Sequence, residues 1–193
     1  MIGLALKLNV ILASTRPGRV GATIARWIHG MVLEHGTFDA ELVDLAELDL
    51  PLYNEPRHPV LQQYEHEHTR RWGASVAAAD AFVLVTPEYN HGTTPALLNA
   101  LNYVYKEWNY KPAAFVSYGG ASGGIRAVQF TKQILNTLKL VSLVEAVMIP
   151  MVAHQLDEEK RFKPSELHLS SAKAMLDELL RWAEALKPMR EPS

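Results

Sequence analysis

The stretch VILASTRPGRVGATIARW, residues 10–27, joins an apolar segment to a helical one through a loop of arginine, glycine and hydroxyl side chains. The apolar residues 6–13 are typical of a buried strand, and Ile24, Ile28, Met31 and Val32 recur at helical spacing after the loop. The N–H groups and the dipole at a helix N-terminus favour an anion. The stretch therefore predicts a strand–loop–helix unit that binds an anion, although it has neither a P-loop ending nor G-x-G-x-x-G.

The rest of the chain repeats this alternation of strands and helices. Further strands are predicted at residues 40–45, 81–85, 113–118 and 143–149, and helices at 61–79, from Thr94-Pro95, at 128–138 and from Ser165. Strands separated by helices form right-handed crossovers. The sequence therefore predicts one α/β domain over residues 1–193, a doubly wound five-stranded parallel sheet with helices on both faces.

Composition excludes several classes of protein. The 193 residues are 48% hydrophobic and 21% charged, with a formal net charge of -2, so no overall field attracts nucleic acid or an acidic membrane. The absence of cysteine excludes disulfides, thiol catalysis and thiolate metal sites. Because Lys7 and Asn9 interrupt the first apolar run, we interpret it as a strand rather than a signal peptide, and we expect a cytoplasmic protein without membrane contact.

Three unusual loops follow predicted strands 1, 3 and 4, and parallel strands bring their carboxyl ends to one edge of the sheet, where ligands bind. In the first loop, Ser14, Thr15 and Thr23 offer hydroxyl groups, and Arg16 or Arg19 can pair with a phosphate or a second anion. The alternative is an ordinary turn with two solvated arginines.

The second loop, residues 86–94, is stiffened by Pro87 and Pro95 and carries Tyr89, which suits a flat polar ring. Alternatively, Tyr89 packs on its own protein. The third loop, residues 117–124, contains four glycines, which let the backbone approach a ligand and present N–H groups to it; the alternative is a flexible loop. A phosphate site and a ring site at one edge indicate a mononucleotide with a planar ring, and FMN fits best.

Four motifs carry a resemblance to a known family. S-T-R-P-G-R-V-G, D-L-P-L-Y-N-E-P, T-P-E-Y-N-H-G and Y-G-G-A-S-G-G, in this order over residues 8–149, closely resemble the NADPH-dependent FMN reductase family, which includes quinone, azo-dye and chromate reductases. The resemblance implies a flavodoxin-like fold. It also implies that FMN takes a hydride from NADPH or NADH and passes two electrons to a quinone, azo compound, flavin or similar small-molecule acceptor.

The resemblance also assigns residues. Those that match the phosphate site are Ser14, Arg16, Val20 and Gly21; the ring segment is Pro87, Glu88, Tyr89 and Asn90; the loop at the pyrimidine edge contributes Ser117, Gly119, Gly120 and Ser122. Backbone N–H groups of residues 119–122 are expected near flavin N1 and the C2 carbonyl. Many relatives have glycine where this chain has Ala13, and serine and asparagine near Gly21 and Thr23, so two side-chain donors are missing here.

Several finer expectations remain open from the sequence. Arg16 or Arg19 is expected to meet the 2′-phosphate of NADPH as well. A homodimer or homotetramer is expected, with Tyr105, Trp108 and Tyr110 packing either on a partner subunit or in the core. The rival functions are a flavodoxin-type electron carrier, which the net charge of -2 disfavours, and a redox-sensing partner protein that uses FMN as a switch.

No metal site and no catalytic side chain are assigned. His66 and His68, beside Glu65 and Glu67, fall in the predicted helix 61–79, where positions i and i+2 point apart and cannot share an ion. His91 lies in the ring loop, where it either tunes the flavin or caps the turn.

Overall fold

The computed structural model describes residues 5–190, which form one five-stranded parallel sheet. The strands are β1 (Leu6–Leu12), β2 (Phe38–Asp44), β3 (Ala81–Pro87), β4 (Pro112–Tyr118) and β5 (Val141–Ile149), in the order β2-β1-β3-β4-β5. In sequence order, β2 is added on one side of β1, and β3, β4 and β5 are added on the other side. Such a reversal opens a crevice at the carboxyl ends of β1 and β3. The predicted flavodoxin-like fold is confirmed.

Helices cover both faces of the sheet. They are α1 (Gly21–His35), α2 (Leu45–Leu48), α3 (Glu67–Ala78), α4 (Pro95–Tyr103), α5 (Ile125–Thr137) and α6 (Glu166–Leu186). Helices α1 and α6 pack on one face, and α3, α4 and α5 on the other. Every residue of β3 and β4 is buried, as expected for strands covered on both sides. None of the helices within residues 5–190 is long and apolar enough to cross a membrane.

Two of the three aromatic residues after α4, Tyr105 and Trp108, pack against the core, whereas Tyr110 lies outside it against Lys139. Trp108 is 1% exposed, and its ring centroid lies 5.7 Å from that of Trp72 and 4.8 Å from that of Phe82. Tyr105 packs against the same buried cluster. Of the two alternatives, packing in the core therefore holds for Trp108.

Two helix starts are confirmed at the predicted residues. The Thr94 side chain accepts a hydrogen bond from the N–H of Leu97 at 3.1 Å, and Ser165 caps α6 in the same way. The predicted helix 61–79 begins only at Glu67, because Gln62 adopts a left-handed φ of 53° that ends a short 3-10 turn, Pro59–Leu61. Residues 45–48, predicted as strand end and loop, form α2 instead.

The late start of α3 changes the expected geometry of the histidines. His66 lies before the helix in an extended conformation, so its ring stacks on that of His68 with centroids 5.1 Å apart and planes at 13°. The expectation that the two side chains point apart is therefore wrong. Even so, residues 5–190 contain no group of three histidine, cysteine or acidic side chains placed to hold a metal ion.

Candidate functional site

The first loop delivers the chain from β1 to the N-terminus of α1. Gly18 adopts a φ of +69°, and the N–H of Arg19 donates to the carbonyl of Arg16 at 3.1 Å, so the loop turns tightly. Val20 precedes the helix, and no side chain caps it. The N–H of Thr23 donates to the carbonyl of Val20 at 3.1 Å, and the N–H of Gly21 lies beside the Tyr118 hydroxyl. The N-terminus of α1 therefore opens on the loop, at a position where proteins bind anions.

A cavity of about 330 Å³ lies at the carboxyl ends of β1, β3 and β4, and we call it the β1–β3 cavity. It is lined by all three predicted loops: by Ser14, Arg16, Pro17, Gly18, Arg19 and Val20, by Pro87 and Tyr89, and by Tyr118, Gly119 and Val152. The strand order brings loops that are distant in sequence to one site, where α/β sheets bind their ligands.

Hydroxyl and guanidinium groups concentrate in this cavity. Ser14 Oγ and Tyr89 Oη are 3.0 Å apart, and Tyr118 Oη is buried without a hydrogen-bond partner. Arg19 forms an ion pair with Asp44 at the end of β2, while its Nε is buried without a partner. Arg16 is exposed at the rim. Burial raises the pKa of Tyr118 above the usual range, so its hydroxyl is a neutral donor.

These groups fit the phosphate of FMN. Among the buried side-chain polar atoms without a hydrogen-bond partner in residues 5–190, two belong to residues that line this cavity, Tyr118 Oη and Arg19 Nε. A buried donor without an acceptor costs about 1–3 kcal/mol, so an unpaired group calls for a ligand or a water. Guanidinium groups, hydroxyls and a helix N-terminus are the groups that proteins use for phosphate.

The second loop is a tight hairpin turn. Tyr89 and Gly92 exchange two backbone hydrogen bonds of 3.0 and 2.9 Å, and Asn90 and His91 between them have φ values of 49° and 67°. Two positive φ values in succession define a type I′ turn, for which asparagine is well suited. The turn holds Tyr89 in the cavity wall and places Asn90 and His91 at an exposed tip.

Glu88 points away from the β1–β3 cavity toward the third loop. One carboxylate oxygen accepts from Ser122 Oγ at 3.0 Å and from the N–H of Arg126 at 3.1 Å, and the other pairs with Arg126 Nε at 3.0 Å. Arg126 Nη1 also lies 2.6 Å from His91 Nε2. The Glu88 side chain therefore links the second loop to the third loop and to the start of α5.

The third loop is folded by its own hydrogen bonds. Ser117 Oγ donates to the carbonyl of Gly123 at 2.8 Å, so its hydroxyl is already engaged. The N–H of Gly119 donates to the carbonyl of Ile149 at 3.2 Å, and the expectation that this N–H faces a ligand is wrong for that reason. Gly124 has a φ of +85° and lies so close to Tyr118 that a side chain there would meet its backbone N and O at 2.9 Å. Glycine is required at this position.

The structure divides the predicted site residues into two groups. Those that line the β1–β3 cavity are Ser14, Arg16, Arg19, Val20, Pro87, Tyr89 and Gly119. Those that lie outside its lining are Gly21, Glu88, Asn90, Ser117, Gly120 and Ser122. Of the other hydroxyls, Thr23 Oγ1 accepts from the N–H of Phe162, and Thr15 lines a separate cavity of about 290 Å³ with Asp49, Leu50 and Asn99.

Four residues that line the cavity were not assigned from the sequence: Pro17 and Gly18 in the first loop, Tyr118 and Val152. A signal for Tyr118 was present, since it ends a buried strand immediately before the glycine-rich loop, at the edge where ligands bind. Val152 lies beyond β5 in a short 3-10 turn, and no pattern in the sequence marks it.

Comparison with known proteins gives concordant matches. A family model described as NADPH-dependent FMN reductase matches residues 6–154. An NAD(P)H-dependent FMN reductase of Schizosaccharomyces pombe is 44% identical over 136 residues, which cover 69% of this chain and 68% of the relative. A quinone reductase of Pseudomonas putida is 31% identical over 137 residues, which cover 68% and 70% of the two chains.

Solved structures agree on the fold. A flavoenzyme NAD(P)H:(acceptor) oxidoreductase from Paracoccus denitrificans superposes with a TM-score of 0.73 at 20% identity, over 94% of this chain and 98% of that one. At this identity the likeness shows the shared architecture of sheet and helices.

Proposed function

Because the chain belongs to the NADPH-dependent FMN reductase family, we propose that it is an oxidoreductase that passes two electrons from NADPH or NADH, by way of bound FMN, to a small-molecule acceptor. A quinone, an azo compound and a flavin are the acceptor classes we propose. The observation that carries this function is the β1–β3 cavity, in which phosphate-binding groups and the ring loops meet. The names of the relatives favour a reductase over the electron carrier and the redox sensor.

The residues of the cavity bind and orient the cofactor in this proposal. Ser14, Arg16 and Arg19 hold the phosphate together with the backbone of Val20 and Gly21 at the start of α1. Pro87, Tyr89 and Asn90 of the second loop and the backbone of Gly119 and Gly120 in the third loop would hold the ring. When bound, FMN supplies the redox chemistry, and the protein sets its position and its surroundings.

The remaining loop residues keep the ring site in shape. Glu88 and Ser122 hold the second and third loops together, and Ser117 fixes the glycine-rich turn. The N–H groups of Gly120, Ala121 and Ser122 have no acceptor among residues 5–190, which leaves them to stabilise negative charge at the pyrimidine edge.

The experiment that tests this function is a spectrum followed by a reduction. The purified protein is reconstituted with FMN, freed of excess cofactor and mixed with NADPH without oxygen. We expect the absorption of bound oxidised flavin, bleached within seconds and restored by a quinone. Bound flavin that does not bleach would contradict the reductase and support a carrier or sensor, and no bound flavin would contradict the FMN site.

We also propose a homodimer or homotetramer. Four large apolar side chains in the segment between α2 and α3 are exposed, namely Leu52, Tyr53, Val60 and Leu61, and the grouping of exposed apolar residues supports a contact surface there. Light scattering on the purified protein measures the mass. We propose the cytoplasm as the compartment, since the nicotinamide donor is an intracellular metabolite, and cell fractionation tests it.

A further inference from the structure

Tyr118 is buried at the last position of β4, and its side chain reaches the start of α1. It is 5% exposed, and the Ser14 hydroxyl and the N–H of Gly21 lie near its hydroxyl oxygen. No group among residues 5–190 accepts the hydroxyl proton in good hydrogen-bond geometry. The hydroxyl lies against Gly21, the first residue of the helix: a Cβ built on Gly21 would stand 2.2 Å from Tyr118 Oη. Tyr118, at the end of β4, thus places its hydroxyl at the N-terminus of α1.

Glycine is required at position 21 because a larger side chain has no room there. Only four glycines in residues 5–190 have positive φ, and Gly21 is not one of them, so its backbone conformation suits any residue. Any Cβ there would collide with Tyr118 Oη and would also stand 2.9 Å from Leu12 Cδ1. Gly21 therefore makes room for the tyrosine hydroxyl, which occupies the place of a side chain of the first helical turn.

The surroundings of the hydroxyl define its ligand. Tyr118 lines the β1–β3 cavity together with Ser14, Arg16 and Arg19, beside the N-terminus of α1. Both guanidinium groups are cationic and the helix end carries partial positive charge, so an anion is favoured there. A neutral phenol hydroxyl in this position adds one directional donor to an anion such as a phosphate monoester.

We propose that Tyr118 donates a hydrogen bond to the phosphate of the bound flavin nucleotide, and that the pair of Tyr118 and Gly21 favours FMN over riboflavin. This inference rests on the proposed function, because it assigns one more residue to the same cofactor site. Tyr118 is a binding residue that sets cofactor specificity, and Gly21 is the position that admits it.

The test is a comparison of two flavins in Tyr118→Phe. FMN and riboflavin share the ring and differ in the phosphate, and their dissociation constants are measured by quenching of flavin fluorescence. A hydrogen bond to a charged group corresponds to about 10- to 100-fold in affinity, so we expect Tyr118→Phe to raise the dissociation constant for FMN by about that factor. The affinity for riboflavin should stay within about twofold.

A matched control separates this effect from a general loss of a tyrosine hydroxyl. Tyr103→Phe removes a buried hydroxyl that donates to the carbonyl of Pro51 at 2.9 Å, away from the cavity. We expect this control to leave the ratio of FMN to riboflavin affinity unchanged. The melting temperature of each apoprotein shows whether the variant folds.

The outcomes distinguish this inference from the proposed function. Wild-type protein that binds neither flavin overturns the function, and with it the inference. If the wild-type protein binds FMN and Tyr118→Phe binds it equally well, or loses the same factor in affinity for both flavins, only the role of Tyr118 is overturned.

Discussion

Glu88→Gln tests whether the contacts of Glu88 hold the ring site together. The carboxylate accepts hydrogen bonds from Ser122 Oγ, from the N–H of Arg126 and from Arg126 Nε, at 3.0, 3.1 and 3.0 Å. An amide of the same shape keeps one acceptor oxygen and brings an NH₂ group toward a guanidinium. The change therefore removes at least one charge-assisted contact and introduces one unfavourable contact between donors.

The magnitude follows from the burial of the two partners. The side chain of Glu88 is 9% exposed and that of Arg126 is 46% exposed, so solvent screens part of the ion pair. Hydrogen bonds to charged groups contribute about 1.5–3 kcal/mol, and with this screening we expect a loss of about 1–2 kcal/mol. For a chain of this size, 1 kcal/mol corresponds to about 2–4 °C, so the melting temperature should fall by about 2–8 °C.

The assay is thermal unfolding of the apoprotein, followed by titration with FMN and riboflavin. Glu88 holds the loops around the proposed ring site and lies outside the lining of the cavity. The affinities for FMN and for riboflavin should therefore fall by a similar factor. Glu67→Gln is the control: this side chain is 82% exposed and pairs only with Arg70 on the surface, so the melting temperature should change by no more than about 1 °C.

Two results would refute this reasoning. A melting temperature of Glu88→Gln that matches the control shows that the contacts to Ser122 and Arg126 contribute nothing to stability. Weaker binding of FMN alone, with riboflavin unchanged, shows that Glu88 acts at the phosphate rather than at the ring.

Two further predictions follow from charged groups elsewhere in the structure. Arg16 is exposed at the rim of the cavity, whereas Arg19 is paired with Asp44, so Arg16 is the arginine free to meet the 2′-phosphate of NADPH. Arg16→Ala should therefore raise KM for NADPH several-fold more than KM for NADH in steady-state kinetics. Equal changes in the two KM values would contradict a contact with the 2′-phosphate. Burial lowers the pKa of Lys111 to about 8, while the unfolded chain keeps a value near 10.5. At pH values between these two pKa values, Lys111 is protonated in the unfolded chain and neutral in the folded one. The free energy of unfolding should therefore rise with pH by up to about 1.4 kcal/mol per pH unit. Lys111→Met should lack this rise in denaturant unfolding at pH 8–10, and an identical slope in both proteins would exclude Lys111 as its source.

Much of the fold is predictable from the sequence because local and global preferences agree. The strands β3 and β4 are apolar at nearly every position, and Thr94-Pro95 and Ser165 mark helix starts by local chemistry. The start of α3 is not predictable in this way. The N–H groups of Glu65 and His66 are held by the carboxylate of Glu55, a partner outside the helical pattern.

The location of the site is predictable for a similar reason, and its contacts are not. Parallel strands bring their carboxyl ends to one edge, so three unusual loops after β1, β3 and β4 had to meet there. The direction of Glu88 depends on Ser122 and Arg126, which are 34 and 38 positions away in the chain. No local pattern indicates which side of a loop such a residue faces.

The two groups of loop residues have separable effects on the same ligand. Tyr118 and Ser14 line the β1–β3 cavity beside the helix N-terminus, whereas Glu88 and Ser117 form hydrogen bonds within and between the loops. On the proposed assignment, we expect changes in Tyr118 and Ser14 to act on the phosphate and to alter the ratio of FMN to riboflavin affinity. We expect changes in Glu88 and Ser117 to act on the loops around the ring and to weaken the binding of both flavins together. The ratio of the two affinities therefore identifies which part of the cofactor a given side chain serves, without reference to the acceptor that the enzyme reduces.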